Sequence, residues 1–209
     1  MQEKTFQTYQ EQIEQLPMPA GKRKVMLAAI ALFSKQGFHA TSTAQIAAEA
    51  QVSQATIFKY FNTKDDLLLR VCEPLVNLVG KPFLEGLKDC PDTASMVHFL
   101  VQDRFSFVAA NSDLLKIIFQ ELQTSVSVRQ QLFQNIRPLI PEIVTILRTT
   151  LKKEGYVNQA WSDIILLRTI LSPLFTYIVQ RYFLGIDSEH EADDLQVIES
   201  QILTLLTAK

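Results

Sequence analysis

Residues 53–60 read Ser-Gln-Ala-Thr-Ile-Phe-Lys-Tyr, a short run in which Gln54, Ala55, Thr56, Lys59 and Tyr60 supply an amide, a methyl, two hydroxyls and an ammonium. Presented outward on one helix, such groups can match the donors, acceptors and methyls on base-pair edges in the major groove, or reach phosphate oxygens. The surrounding charge fits that chemistry. Residues 21–64 carry Lys22, Arg23, Lys24, Lys35, Lys59 and Lys64 against Glu49 alone, a net +5, in a chain whose total is -2. The slightly acidic whole, with pI near 5.9, is therefore an average over unlike parts: the first 20 residues sum to -2 and the segment after 64 to -5. The same spacing also suits an ordinary three-helix subdomain with a solvated polar face.

Local signals define the elements that would hold those side chains. Ser42-x-x-Gln45 is a capping box opening one helix, and Ser53 is an N-cap for the next. Between them Ala50-Gln51-Val52 has the length of a helix-turn-helix linker. Ile46, Ala47, Val52, Ile57 and Phe61 are expected to face inward with Val25, Leu32 and Phe33.

The rest of the chain also reads as helix. Only 6 Gly and 8 Pro occur in 209 residues, well under the roughly 12% of average usage, which disfavours turn-rich all-β and doubly wound folds. Apolar residues recur at three and four, and Gly37, Gly155 and Gly185 each follow a helical stretch that a left-handed residue would terminate. Helices are predicted near 22–36, 43–49, 53–60, 64–80, 92–110, 112–124, 127–153, 159–184 and 190–207, with Pro74, Pro138, Pro141 and Pro173 as kinks or breaks. In the Gln-rich arm before residue 21, Phe6, Tyr9, Ile13 and Leu16 share a face that either packs on the body or stays mobile. Cys72 and Cys90 read as free thiols. The opening residues show no basic-then-apolar leader, and the apolar run 164–179 is short of a span and carries Arg168 and Pro173. A cytoplasmic, nucleoid-associated protein without membrane attachment, cofactor or metal is the expectation.

The run from Arg23 to Leu69 resembles a known family. Ala29, Leu32, Phe33, Gly37, Phe38, Thr41, Ile46-Ala47, Ala50-x-Val52-Ser53, Thr56-Ile57-Phe58-x-Tyr60-Phe61 and Lys64-x-x-Leu67-Leu68 are similar to the DNA-binding domain of TetR/AcrR-type regulators. The resemblance implies an N-terminal arm (1–20), a helix-turn-helix domain (21–70) and an all-α effector-binding and dimerisation domain (71–209). It makes Gln54, Ala55, Thr56 and Lys59 the base-reading face and Thr43, Tyr60 and Lys64 phosphate contacts, with amides at the start of the fourth helix also placed for an anion. Lys22, Arg23 and Lys24 add the sequence-independent attraction to the backbone. Three departures stand out: Gln51 where the turn usually has glycine, Phe58 for tyrosine, and Ala44 for a long polar residue.

The resemblance further implies a homodimer on a palindromic operator of double-stranded DNA and a small-molecule effector, apolar or amphipathic. Phe99, Gln102, Phe105, Phe119, Gln123, Phe133, Arg137, Phe175 and Tyr177 are the expected pocket residues, and Leu167, Leu171, Leu174, Ile178, Leu195, Ile198, Ile202 and Leu205 the expected dimer interface. The same stripes would equally line an internal core. Repression of nearby genes is the expected role, beside an alternative interaction protein or coactivator with reduced DNA binding. An enzyme finds little support: there is no G-x-S-x-G elbow, phosphate loop or metal spacing, and His39, His98 and His190 are far apart in sequence.

Overall fold

A computed structural model of the protein describes residues 13–156 and 161–207, with residues 74–79 described by their backbone alone. Phe6 and Tyr9 of the arm lie outside the described residues. Ile13, from the same predicted face, is fully buried, so the end of the arm packs on the body.

Every regular element among the described residues is helical. The chain runs through α1 (Ala20–Gln36), α2 (Thr43–Glu49), α3 (Gln54–Tyr60), α4 (Lys64–Lys88), α5 (Thr93–Thr124) and α6 (Val126–Ile136). A 3-10 turn (Arg137–Leu139) then leads to α7 (Ile140–Lys153), α8 (Asp163–Ile178), a π turn (Val179–Phe183) and α9 (Glu191–Thr207). Gly37, Gly155 and Gly185 all have positive φ, at 83°, 77° and 68°, as their positions after helical stretches predict. The predicted stretches 92–110 and 112–124 are one helix interrupted at Asn111, whose φ and ψ of -127° and 19° are not helical. The predicted single stretch 127–153 is divided: Pro138 falls in the 3-10 turn, and Pro141 sits at the start of α7, where a missing N–H is harmless.

Two compact units emerge, each discontinuous in sequence. The first joins residues up to Val79 with Ala110–Ile136, and the second joins Gly80–Ala109 with the chain from Arg137 onward. In the first, α1 packs on both α2 and α3 around Val25, Phe33, Ile46, Ile57 and Phe61. In the second, α8 packs on α9 around Leu87, Met96, Leu147, Leu166, Ile170 and Ile202.

The 21 residues Asp163–Phe183 are long and apolar enough to cross a membrane by length and composition alone. Leu166, Ile170, Leu174 and Tyr177 of this stretch belong to the second unit's core, which makes it a core helix. It is buried along that stripe only.

The turn between α2 and α3 bends at Gln51, the one described non-glycine residue with positive φ, at 53°. The Gln51 N–H donates to the Ala48 carbonyl at 3.1 Å and the Val52 N–H to the Ala47 carbonyl at 3.0 Å, the paired bonds of a Schellman motif. A side chain in this conformation costs about 1–2 kcal/mol, part of which glycine gives back through its freer unfolded chain. Gln51→Gly is therefore expected to stabilise the protein by about 1 kcal/mol, read as a higher urea midpoint at unchanged slope.

Candidate nucleic-acid interface

Both short helices begin as their sequences require. The Ser42 Oγ accepts the Gln45 N–H at 3.2 Å while Gln45 Oε1 accepts the Ser42 N–H at 2.8 Å, closing the capping box. The Ser53 Oγ accepts the Thr56 N–H at 3.2 Å. With Ile57 buried, α3 directs its exposed stripe through Gln54, Ala55, Phe58 and Lys59.

That stripe differs from the sequence expectation at three residues, with Thr56 and the half-buried Tyr60 left off it and Phe58 added. Thr56 is half-buried, and its hydroxyl lies 2.9 Å from Ser53 Oγ. A Cβ added at Gly21 would stand 3.6 Å from the Thr56 methyl and 3.4 Å from the Tyr60 ring, so the start of α1 flanks this side of α3. Phe58, which no local signal marks as exposed because aromatic residues usually point inward, is 53% exposed.

The expected phosphate contacts also divide. Lys22, half-buried, holds its ammonium 5.9 Å from the centre of the Phe61 ring; Lys24 is exposed, and Thr43 and Tyr60 are half-buried at the start of α2 and the end of α3. Arg23 turns inward and donates to the Leu16 carbonyl at 2.6 Å, holding the arm. Lys64 donates to the carbonyls of Phe38 and Thr41, each at 2.9 Å, and its ammonium lies 4.4 Å from the centre of the Phe38 ring. These two cations serve the fold of their own unit. The start of α4, expected to offer amides to an anion, is capped from within: the Asn62 N–H donates to Asp66 Oδ2 and the Asp66 N–H to Thr63 Oγ1, both at 2.9 Å.

One close polar contact in the first unit went unmarked in the sequence. Glu121, 1% exposed, places Oε1 3.1 Å from Nε2 of His39, in the loop between α1 and α2.

The family model described as "Bacterial regulatory proteins, tetR family" matches residues 25–71, which hold the capping box, the turn and the exposed stripe. Residues 25–71 are a DNA-binding domain of the TetR family. The chain is 21% identical over 186 residues to the fatty acid metabolism regulator protein of Bacillus subtilis (strain 168), covering 88% of this chain and 93% of that one. Its fold is that of two solved structures. The transcriptional regulator FadR from Bacillus subtilis, in complex with stearoyl-CoA, has a TM-score of 0.72 at 19% identity, covering 88% of this chain and 97% of that one. The fatty acid degradation regulator FadR from Bacillus halodurans has a TM-score of 0.74 at 20% identity, covering 92% and 98%. The TetR-family domain at residues 25–71 marks the chain as a DNA-binding transcriptional regulator with a helix-turn-helix.

The expected pocket residues of this regulator are divided between the two units. Phe119, Gln123 and Phe133 lie in the first unit and the others in the second. Phe105 and Tyr177 meet at 5.7 Å between ring centres inside the second unit's core, with the Tyr177 hydroxyl donating to Asp194 at 3.0 Å. Burial and the Asp194 carboxylate raise that phenol's pKa, while Ser188 and Arg181 oppose them. Phe99 stacks on Phe83 at 5.8 Å, and Gln102 donates to Glu199 at 2.9 Å. Phe119, Gln123, Phe133, Arg137 and Phe175 are exposed. In the second unit the Arg104 guanidinium lies over the Phe83 ring at 4.0 Å, and desolvation lowers its pKa against the raising effect of Asp103.

The expected dimer stripe proves to be mostly core. Leu174, Leu195, Ile198 and Ile202 are buried within the second unit, and Leu167 and Ile178 are half-buried against that core. Only Leu171 and Leu205 are exposed, beside Ile164, Phe175 and Val197 on the outer sides of α8 and α9. There Pro173, Val197, Ser200, Gln201, Thr204 and Leu205 line an open groove of about 700 Å³.

Removing the Lys64 ammonium would take the side-chain donor from the Thr41 and Phe38 carbonyls, leaving the latter only the Thr41 N–H at 3.2 Å, so Lys64→Met is expected to destabilise the protein by about 1–3 kcal/mol. Thermal unfolding checks this, and a melting point equal to wild type would refute the structural role.

Proposed function

We propose that the protein is a homodimeric repressor that reads a palindromic operator through α3 and is released from it by an amphipathic acyl-CoA-type effector. The observation that carries the DNA reading is the exposed stripe of α3, capped by Ser53 and set within a segment of net +5. Gln54, Ala55 and Lys59 read bases; Lys22, Lys24, Thr43 and Tyr60 meet phosphates. Thr56 supports the stripe through its cap bond, and Arg23 and Lys64 position the helices. Protein of this kind acts in the cytoplasm, at the nucleoid.

Dimerisation is supported by the outer apolar faces of α8 and α9. Ile164, Leu171 and Phe175 recur at the spacing of one helix face, with Val197 and Leu205 across the groove. A symmetric copy of the same surface would cover them, burying apolar area worth roughly 25 cal/mol per Å². Two α3 helices set about 34 Å apart then address successive major grooves.

The effector class is supported by the likeness to regulators of fatty acid metabolism, one of them solved with stearoyl-CoA. An acyl chain suits an aromatic-rich second unit, and a phosphate-bearing head suits a cation such as Arg104.

The test uses DNA upstream of the protein's own gene and mobility shifts at graded salt. Lys59→Ala is expected to weaken specific binding about tenfold and to reduce the salt slope by about one per protomer. Release by acyl-CoA thioesters of 12–18 carbons, but not by free coenzyme A, supports the effector class. Equal shifts by wild type and Lys59→Ala would dismiss the base-reading face. For the dimer, Leu171→Glu with Phe175→Glu should give a monomer in sedimentation with unchanged helix content and at least a tenfold loss of operator affinity. An intact dimer would place the interface elsewhere.

A further inference from the structure

The exposed stripe of α3 contains a ring that the proposed contacts leave unused. Phe58 lies one turn beyond Gln54, three residues beyond Ala55 and beside Lys59, and is 53% exposed, whereas Phe33, Phe38 and Phe61 of the same unit are buried. Thr56 cannot take its place on the stripe, because its hydroxyl meets Ser53 and its methyl faces the start of α1. The middle of the stripe is thus apolar, Ala55 and Phe58, and its edges are polar, Gln54 and Lys59.

The major groove offers an apolar surface at one base only, the 5-methyl of thymine. Phe58 has no hydroxyl to give a phosphate, so its contribution there is contact with that methyl. Charge selects DNA over an apolar partner protein: the stripe ends in Lys59 and lies in a segment of net +5, with Lys24 exposed on α1.

We propose that Phe58, backed by Ala55, is a thymine-methyl reader that makes the operator half-site depend on thymine. This rests on α3 reading DNA, as proposed above.

The experiment selects binding sites for the full-length protein from random duplexes, then replaces each half-site thymine in turn with deoxyuridine, which removes only the methyl. At one or two positions the wild type is expected to lose about fourfold in affinity per methyl removed. Phe58→Ala should bind thymine and uracil duplexes alike, while Phe58→Tyr, which keeps the ring, should retain the discrimination. Phe58 is exposed, so Phe58→Ala should keep the wild-type circular dichroism and salt-dependent binding to unselected DNA.

A wild type indifferent to every methyl, a half-site without thymine, or a Phe58→Ala variant that still discriminates would each overturn the inference and leave DNA reading by α3 standing. Failure of the wild type to select any sequence would remove both.

Discussion

The left-handed bend at Gln51 governs what α3 can present. With φ at 53°, the N–H groups of Gln51 and Val52 turn back onto the carbonyls of Ala48 and Ala47, and α2 ends there. Ser53 then caps a new helix. The rotation of α3 about its own axis follows from that restart. Ile57 falls into the core, Thr56 and Tyr60 fall beside the start of α1, and Gln54, Ala55, Phe58 and Lys59 remain outside. A strained residue stands at this turn because the surrounding packing over-determines it.

The elements of the first unit were legible because their signals are local. A capping box, an N-cap and a left-handed stop each act within four residues, and Ser42, Gln45, Ser53 and Gly37 all behave as their types predict. Legibility failed where the partner was remote in sequence. Lys64 finds the carbonyls of Phe38 and Thr41 across 26 and 23 residues, and Arg23 takes the Leu16 carbonyl across seven. A sequence shows two cations in a basic segment; it does not show which backbone carbonyls the fold leaves without a donor.

The second unit illustrates a different limit. α8 is apolar on more than one side, so periodicity alone cannot tell the stripe that enters the core from the stripe that remains outside. Leu166, Ile170, Leu174 and Tyr177 went in, and Ile164, Leu171 and Phe175 stayed out. The same ambiguity affects the aromatics between 99 and 183. Phe105 is a core residue and Phe175 is not, though nothing in their immediate neighbourhoods distinguishes them.

The buried Glu121 joined to His39 gives the first unit a boundary that linear reading does not suggest. Residues 110–136 stand with α1, α2 and α3, although the thirty residues 80–109 of the second unit precede them in the chain. The buried carboxylate stands against the His39 imidazole, which lies on the loop that Lys64 pins. The consequence concerns modular exchange. A recombination event, or an engineer, that moves only the first seventy residues onto another body would separate Glu121 from His39 and strip the head of part of its own packing. The module that carries the helix-turn-helix in this protein is a head plus a segment distant in sequence, and the two must travel and change together.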